Sequence, residues 1–273
     1  MTKTKGTKEW AVKNVNFSVG CENDCKYCYA KAMAYRFGRI KNREEWANMQ
    51  NKPEMAKKRF KKVQGWIMSP SSHDITEKNV DLAIVVFRNI LKAGNRLLIV
   101  TKPRFECIKK ICVSLDPYRS QILFRFTIGS NNTLTLRHWE TNASGFEERL
   151  ASLRFAHDFG YRTSVSIEPF LDENVADLVK ELLPFVTDTL WIGPMNKIHV
   201  PKNLWTEKEE QLYSRESLLQ IKEEVDALHS SKIRYKDHFL SGIKGSGFYR
   251  TDGEANSVKQ LKIEQFLGGV NSA

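Results

Sequence analysis

Apolar residues gather in six short runs along the chain, at 14–19, 65–69, 96–101, 121–128, 162–168 and 189–193. Each run is short, rich in Val, Ile, Leu or Phe and bounded by turn residues, which predicts buried β-strands. Between and after them, apolar residues recur at helical spacing over 29–46 with 53–63, 76–91, 104–113, 145–159, 174–185 and 207–228. Strict strand–helix alternation predicts parallel strands joined by right-handed crossovers, hence an α/β fold of about six units. Periodicity leaves two architectures open, a flat sheet and an open barrel. Polar or proline-containing loops at 131–135 and 196–205 are the predicted breaks in the pattern.

In either architecture the loops after the C-terminal ends of the strands collect the chemistry, because strand ends and helix N-termini converge there. The unusual residues of this chain fall in those loops. The first reads Gly20-Cys21-Glu22-Asn23-Asp24-Cys25-Lys26-Tyr27-Cys28-Tyr29. Three thiols at offsets of four and three can wrap one compact metal centre, with no fourth cysteine nearby. Iron–sulfur clusters normally take four cysteines, so three leave one iron open to another ligand. The alternative is structural zinc, which needs a closed set of four and would have to recruit His73 or His138. Cys107 and Cys112 lie five apart on a predicted helix and point apart, as buried thiols do.

Composition sharpens this picture in two ways. Five cysteines in 273 residues, three of them clustered, point to a metal site in a reducing compartment rather than to a disulfide scaffold. With neither a long apolar segment nor a secretory leader, a cytoplasmic protein without a membrane partner is expected. The net charge of +11 is concentrated, with 16 basic and 6 acidic residues in positions 1–62 and near balance beyond. A one-sided basic region is the footprint of a polyanion, so nucleic acid is the expected partner, with Lys57-Lys58-Arg59 and Lys61-Lys62 tracking phosphates near the cluster loop. A solvated helical surface is the bland alternative. Trp139, beside His138 and Glu140, is read mainly as core, with base stacking as the alternative.

The cysteine loop, with Tyr27 just before its last cysteine, resembles the signature of the radical S-adenosylmethionine (SAM) superfamily. The resemblance covers most of residues 14–195 and is nearest to the spore photoproduct lyase and DNA-repair-photolyase-like branch. Val100-Thr101-Lys102, Phe124-Arg125-Phe126-Thr127-Ile128, Trp139-Glu140-Thr141, Arg149-Leu150 and Gly160-Tyr161 carry it. A second likeness, to uncharacterised phage-type radical SAM proteins, rests on Cys28-Tyr29-Ala30, Met33-Ala34-Tyr35-Arg36-Phe37 and Ser166-Ile167-Glu168-Pro169.

The resemblance implies a partial (β/α)6 TIM-like barrel over 1–200, with a basic insertion after the cluster loop, and a C-terminal helical extension over 201–273 that completes or caps it. It implies a 4Fe-4S cluster on Cys21, Cys25 and Cys28, S-adenosyl-L-methionine on the open iron, and an external one-electron donor of the flavodoxin or ferredoxin type. Tyr27, Tyr29, His73, Lys102 and Thr127 would contact the cofactor. Glu168 and Asp74 are the expected catalytic residues, Glu168 as an acid or base at the barrel mouth; a structural carboxylate is its alternative. Ser71 stands where the branch has a hydrogen-donating cysteine, and a serine O–H bond is too strong for that role. That departure argues against spore photoproduct lyase activity itself. The function expected is radical chemistry on nucleic acid, by lesion repair or base modification. A small-molecule or peptide substrate, or a non-catalytic metal-containing binding module, are the alternatives.

Overall fold

The structure is a computed structural model that describes residues 6–197 and 200–245; the end of the expected C-terminal extension, from 246 on, lies outside the described residues. In chain order the elements are β1 (Lys13–Asn14), β2 (Ser18–Val19), α1 (Tyr29–Arg36), β3 (Gln50–Asn51), β4 (Trp66–Met68), α2 (Val80–Lys92) and β5 (Arg96–Thr101). They continue with α3 (Phe105–Leu115), β6 (Ile122–Thr127), α4 (Thr133–Trp139), α5 (Phe146–Asp158), β7 (Arg162–Ile167), α6 (Val175–Leu182) and β8 (Leu190–Ile192). Last come α7 (Glu207–Leu212), α8 (Arg215–Asp226), β9 (Ile233–Tyr235) and α9 (Asp237–Ile243). Seven strands form one parallel sheet in the order β1-β4-β5-β6-β7-β8-β9, while β2 and β3 make a separate antiparallel ribbon. The α/β architecture of parallel strands expected from the sequence is the one observed.

Alternation along the strands explains the layering. Ile67, Leu97, Ile99, Ile122, Phe124, Phe126, Val165, Ile167, Leu190 and Ile192 face the helices and join the main core. There they meet the buried stripes of α2 (Ala83, Ile84, Phe87, Ile90) and α6 (Val175, Leu178, Val179, Leu182). Each fully buried Leu, Ile or Phe contributes roughly 1.5–3 kcal/mol. The other face is different. Met68, Leu98 and Leu123, level with one another in the register, pack with Trp10 and Trp66 in a second small core. One pleat further on, the register sets Arg125 beside Ser164, and beyond them Thr127 beside Ser166. The inner face thus turns polar toward the C-terminal ends of the strands, where a site can be built.

Four differences from the sequence expectation have local causes. The run 14–19 enters the sheet only at Lys13 and Asn14, because the Asn16 carboxamide oxygen accepts from the backbone N–H of Ser71 and Ser72 at 2.8 and 3.1 Å. A side chain that bonds a neighbouring loop competes with the ladder. The helix expected to reach 46 stops at Arg36, with Gly38 at φ +64°, the left-handed conformation that glycine supplies at helix ends. The segment 53–63 makes only a 3-10 turn, Pro53–Lys57, since six positions dominated by like charges repel along a helix. Ser214 caps α8 through Ser217 N–H and so splits the long helix expected over 207–228.

Further elements went unpredicted, the short β3 among them. Asn132 caps α4, so the expected break at 131–135 is a helix start. The region after residue 200 carries a strand as well as helices: β9 pairs with β8 at Leu190–Ile233, Trp191–Arg234 and Ile192–Tyr235, raising the strand count from six to seven. At three residues, β9 is too short to register as an apolar run. No helix among the described residues is long and apolar enough to cross a membrane.

Candidate active site

A cavity of about 750 Å³ opens at the C-terminal rim of the sheet. All ten residues singled out from the sequence, Cys21, Cys25, Cys28, Tyr27, Tyr29, His73, Asp74, Lys102, Thr127 and Glu168, line it. The topology brings them together from the loops after β2, β4, β5 and β7 and from the end of β6.

One end is the cysteine loop. Gly20, at φ +81°, passes so close to the Trp46 carbonyl that a Cβ would stand 2.6 Å from its oxygen, and Cys21 N–H donates to that same oxygen at 2.8 Å. Cys21 and Cys25 are buried, Cys28 is half-buried, and all three are free thiols. Burial, then the charges of Asp74 and Cys28, push the Cys21 thiol up to about 12, and burial raises Cys25 and Cys28 as well. Such thiols stay protonated until a metal displaces the proton. Cys28 caps α1, its sulfur accepting from Lys31 N–H at 3.4 Å, so the positive end of the helix faces that sulfur. Among the described residues no group of three or more His, Cys, Asp or Glu is arranged around a single metal ion. In a cuboidal cluster each thiolate binds a separate iron, and three thiols of one loop fit that requirement.

Behind the thiols lies a charge network that the sequence reading missed. Glu140 and Arg149, both fully buried, pair at 2.5 Å. Arg149 also donates to the carbonyls of Ser144 and Thr127 at 2.9 and 3.2 Å. Tyr27 donates its hydroxyl to Glu140. Burial alone would raise the Glu140 carboxyl, but Arg149, Lys102 and Tyr27 reverse that and hold it below its ordinary value. The Lys102 ammonium stands 3.8 Å from Glu140 and 5.6 Å above the Tyr27 ring. Burial works against its charge; the charges of Cys25, Glu140 and Asp74 outweigh burial and raise it. Glu140 and Arg149 lie within stretches already quoted, yet nothing in their spacing marks them as partners.

Asp74 is saturated by its own chain: Asn23, Ile75 N–H and Lys102 N–H each reach it at 3.0 Å, and Thr101 donates its hydroxyl. A carboxylate so engaged ties the cysteine loop, the loop after β4 and the end of β5 together at the cavity wall. Tyr29 donates to the Ser71 carbonyl at 2.5 Å, across the cavity wall. His73 meets Phe17 edge-on at 4.5 Å, and both of its ring nitrogens are buried without a hydrogen-bond partner. Burial, with Lys52 adding to it, depresses this imidazole to about 3, so it is neutral at ordinary pH. An orphaned buried donor and acceptor at a cavity wall fit a polar ligand.

The opposite end assembles residues from both ends of the described chain. Lys236, fully buried after β9, pairs with Glu9 at 3.0 Å, donates to the Gly6 carbonyl at 3.3 Å and lies 4.3 Å above the Trp10 ring. Its other neighbour is Glu168, at 3.8 Å, which His238 also approaches at 3.9 Å. Burial raises the Glu168 carboxyl; Lys236 and His238 oppose that shift. Gly193 permits the convergence: a Cβ there would come within 2.9 Å of Lys236, 3.1 Å of Glu168 and 3.3 Å of His238. Arg125 bonds Ser164 at 2.9 Å and its guanidinium also lies against Trp10, 4.5 Å from the ring centre. No sequence signal marked Glu9, Trp10, Lys236 or His238.

The basic N-terminal quarter divides. Lys61 and Lys62 contact the turn before β5: the Asn95 carboxamide donates to the Lys61 carbonyl at 3.3 Å, and Lys62 is the nearest neighbour of Gly94. That turn belongs to the N-terminal rim, so the 57–62 run lies on the far side of the barrel from the thiols. The expectation that it holds phosphates beside the cluster loop is corrected; nearness in sequence was lost because 53–65 runs the height of the barrel to reach β4. Trp139 is 4% exposed and packs toward Tyr27, which makes it core and removes it as a stacking surface.

No family model matches the chain. The uncharacterized protein ORF301 of Acidianus two-tailed virus is 27% identical over 194 residues, covering 66% of this chain and 62% of that protein. Among solved structures, Streptococcus suis SuiB bound to S-adenosylmethionine matches with a TM-score of 0.52 at 10% identity, over 90% of this chain and 54% of SuiB. Spore photoproduct lyase complexed with dinucleoside spore photoproduct gives a TM-score of 0.47 at 18% identity, over 72% of this chain and 59% of the lyase. The chain thus spans about three-fifths or less of the length of each relative. The likeness to SuiB establishes the shared fold.

Proposed function

We propose that the chain is a radical SAM enzyme, with Cys21, Cys25 and Cys28 as ligands of a 4Fe-4S cluster whose fourth iron is left for S-adenosylmethionine. The observation that carries this reading is convergence: three thiols of one loop share a single cavity with Tyr27, Tyr29, His73, Lys102, Thr127 and Glu168 at the C-terminal rim of a parallel sheet. The fold shared with SuiB, a protein solved with S-adenosylmethionine, supports it. When bound, the cluster supplies one electron that breaks a carbon–sulfur bond of the cofactor, leaving methionine and a 5'-deoxyadenosyl radical.

The chain's own groups have matching tasks. The N-terminus of α1 stabilises the Cys28 thiolate. Lys102, oriented by Glu140, suits the carboxylate of the methionyl group. Neutral His73 offers an N–H and a lone pair to polar atoms of the cofactor, and the Thr127 hydroxyl suits a ribose. Glu168, at the other end, addresses substrate. An external flavodoxin- or ferredoxin-type donor would deliver the electron.

For substrate, this reading extends to nucleic acid, by lesion repair or base modification, on the strength of the concentrated positive charge. The cavity lies within the size range of small-ligand sites, so it admits a cofactor and a base-sized group rather than a duplex; the base would have to be splayed out. A small molecule or a peptide end is the second reading, favoured by the same volume. Anaerobic reconstitution with iron and sulfide tests the enzyme class. A brown protein with about four irons that forms 5'-deoxyadenosine under reductant is expected; a colourless protein, or iron without 5'-deoxyadenosine, overturns it.

A further inference from the structure

The basic quarter that lost its 57–62 run to the far rim keeps a second basic segment on the cavity side. The turn after α1 is anchored to the cysteine loop: Ile40 and Trp46 pack with Cys21, Ala30 and Ala34 in a small core of their own. The end of α1 and the anchored turn expose Arg36, Phe37, Arg39 and Lys41, with Arg43 half-buried beyond them. Phe37 is 63% exposed, and the guanidinium groups of Arg36 and Arg39 lie 5.9 and 6.0 Å from its ring centre. Among the described residues none of these four cations forms an ion pair, although acidic side chains elsewhere pair widely. Two acids follow Arg43 directly, Glu44 and Glu45, and Glu45 accepts the backbone N–H of Lys41 at 2.8 Å. The far-rim run is built otherwise: Phe60 is half-buried against the main core, with Lys13 and Lys58 over its ring.

We propose that Arg36, Phe37 and Arg39, extended by Lys41 and Arg43, form a docking surface for single-stranded nucleic acid, with Phe37 stacking a base and the cations taking phosphates. An exposed ring among unpaired cations is what a sequence-tolerant strand binder needs: a π-face for the base and a counterion-releasing groove for the backbone. Position makes the surface useful. α1 is eight residues long, about 12 Å, and it starts at Tyr29, which lines the cavity. A strand held at the end of α1 therefore lies one short helix from the mouth, and a neighbouring base can turn inward. The proposal depends on the radical SAM reading only for what happens to that base, since docking needs neither cluster nor cofactor.

The test measures binding of fluorescein-labelled 12-nucleotide DNA and RNA single strands, the matching duplex and anionic phosphatidylserine vesicles to the full chain as a function of salt. Both single strands should bind more tightly than duplex, with a slope of log K against log salt near −3 for four neutralised phosphates. Phe37→Ala should weaken strand binding about tenfold at unchanged slope. The pair R36E/R39E should cut the slope by about half or more, and K58E/K61E on the far rim should leave affinity within about twofold. Circular dichroism melting confirms that each variant folds. A preference for DNA over RNA, or the reverse, names the strand and leaves the proposal standing. Tighter binding of duplex or vesicles, equal binding by Phe37→Ala and R36E/R39E, or loss confined to K58E/K61E overturns it. Formation of 5'-deoxyadenosine without nucleic acid should be unchanged in all variants; its absence in every protein, wild type included, would instead refute the radical SAM reading while leaving the docking result intact.

Discussion

The two ends of the cavity are built on opposite plans. At the thiol end, chemistry is local: Cys21, Cys25 and Cys28 sit within eight residues, braced by Gly20, by Asp24 pairing with Lys31 at 2.5 Å and by the first turn of α1. At the other end it is assembled: Glu9, Trp10, Arg125, Glu168, Lys236 and His238 come from four separate stretches of chain. Local construction keeps ligand spacing independent of the rest of the fold. Assembled construction makes the geometry of Glu168 depend on β9 pairing with β8 and on the N-terminal segment lying across both.

The largest expected effect separates the ends outright. Cys21→Ala, Cys25→Ala or Cys28→Ala should abolish iron and sulfide incorporation and 5'-deoxyadenosine formation together, while the melting temperature of the apoprotein moves by only a few degrees. Elemental analysis beside calorimetry checks this; retention of a full cluster by any one variant would refute the assignment. Next in size are the buried charges. Lys236→Met removes the cation between Glu9 and Glu168, and breaking a buried pair from one side costs about 3–5 kcal/mol, or about 10 °C in Tm for a domain of this size. Iron content should stay at the wild-type level. Glu140→Gln should cost a similar amount, and combining it with Arg149→Met should restore part of the loss, because both buried charges then go. If the double variant melts no higher than the single ones, the network is not a closed pair.

The same division decides how much was legible. Spacing carries the thiol end, since cluster ligands on one loop must be near neighbours in sequence. Strand alternation carries the parallel sheet, because two-sided burial leaves continuous apolar runs such as 96–101 and 121–128. The far end left no such trace: Lys236 follows a three-residue strand among polar neighbours, and a lysine there reads as solvated until β9 is placed. Glu140 was hidden differently. It sits in a recognised stretch, but its meaning comes from Arg149, Tyr27 and Lys102, which reach it only through tertiary packing. The basic quarter misled in the opposite sense, because residues 36–43 and 57–62 look alike in composition and the chain between them crosses the barrel from rim to rim.

A smaller effect comes from His73. Its folded value, about 3, lies below the ordinary 6.5, so its contribution to stability is complete above pH 6.5 and is lost as pH falls toward 3. The loss approaches about 1.4 kcal/mol per pH unit. Urea melts at pH 7 and pH 5 should differ by roughly 2 kcal/mol through this group, and His73→Leu should remove that part of the difference. An unchanged pH response in the variant would show that the imidazole is not held neutral by burial.

The smallest effect on stability, and the sharpest on function, belongs to Glu168→Gln. Burial raises the Glu168 carboxyl in the folded state, so its favourable contribution is present below its unfolded value and fades as pH rises through the folded one. Burial therefore penalises the charged form in the folded state, and the neutral amide relieves that penalty. Lys236 keeps Glu9 as its closer partner at 3.0 Å, so no buried cation is stranded. The net change should lie within about 1 kcal/mol. Cluster content and 5'-deoxyadenosine formation without substrate should match wild type, since neither draws on this end of the cavity, whereas turnover of substrate, once one is in hand, should fall by about a hundredfold or more if Glu168 moves a proton. Equal turnover would make Glu168 a structural counter-charge to Lys236, and the assembled end would then serve to close the barrel rather than to act on what enters it.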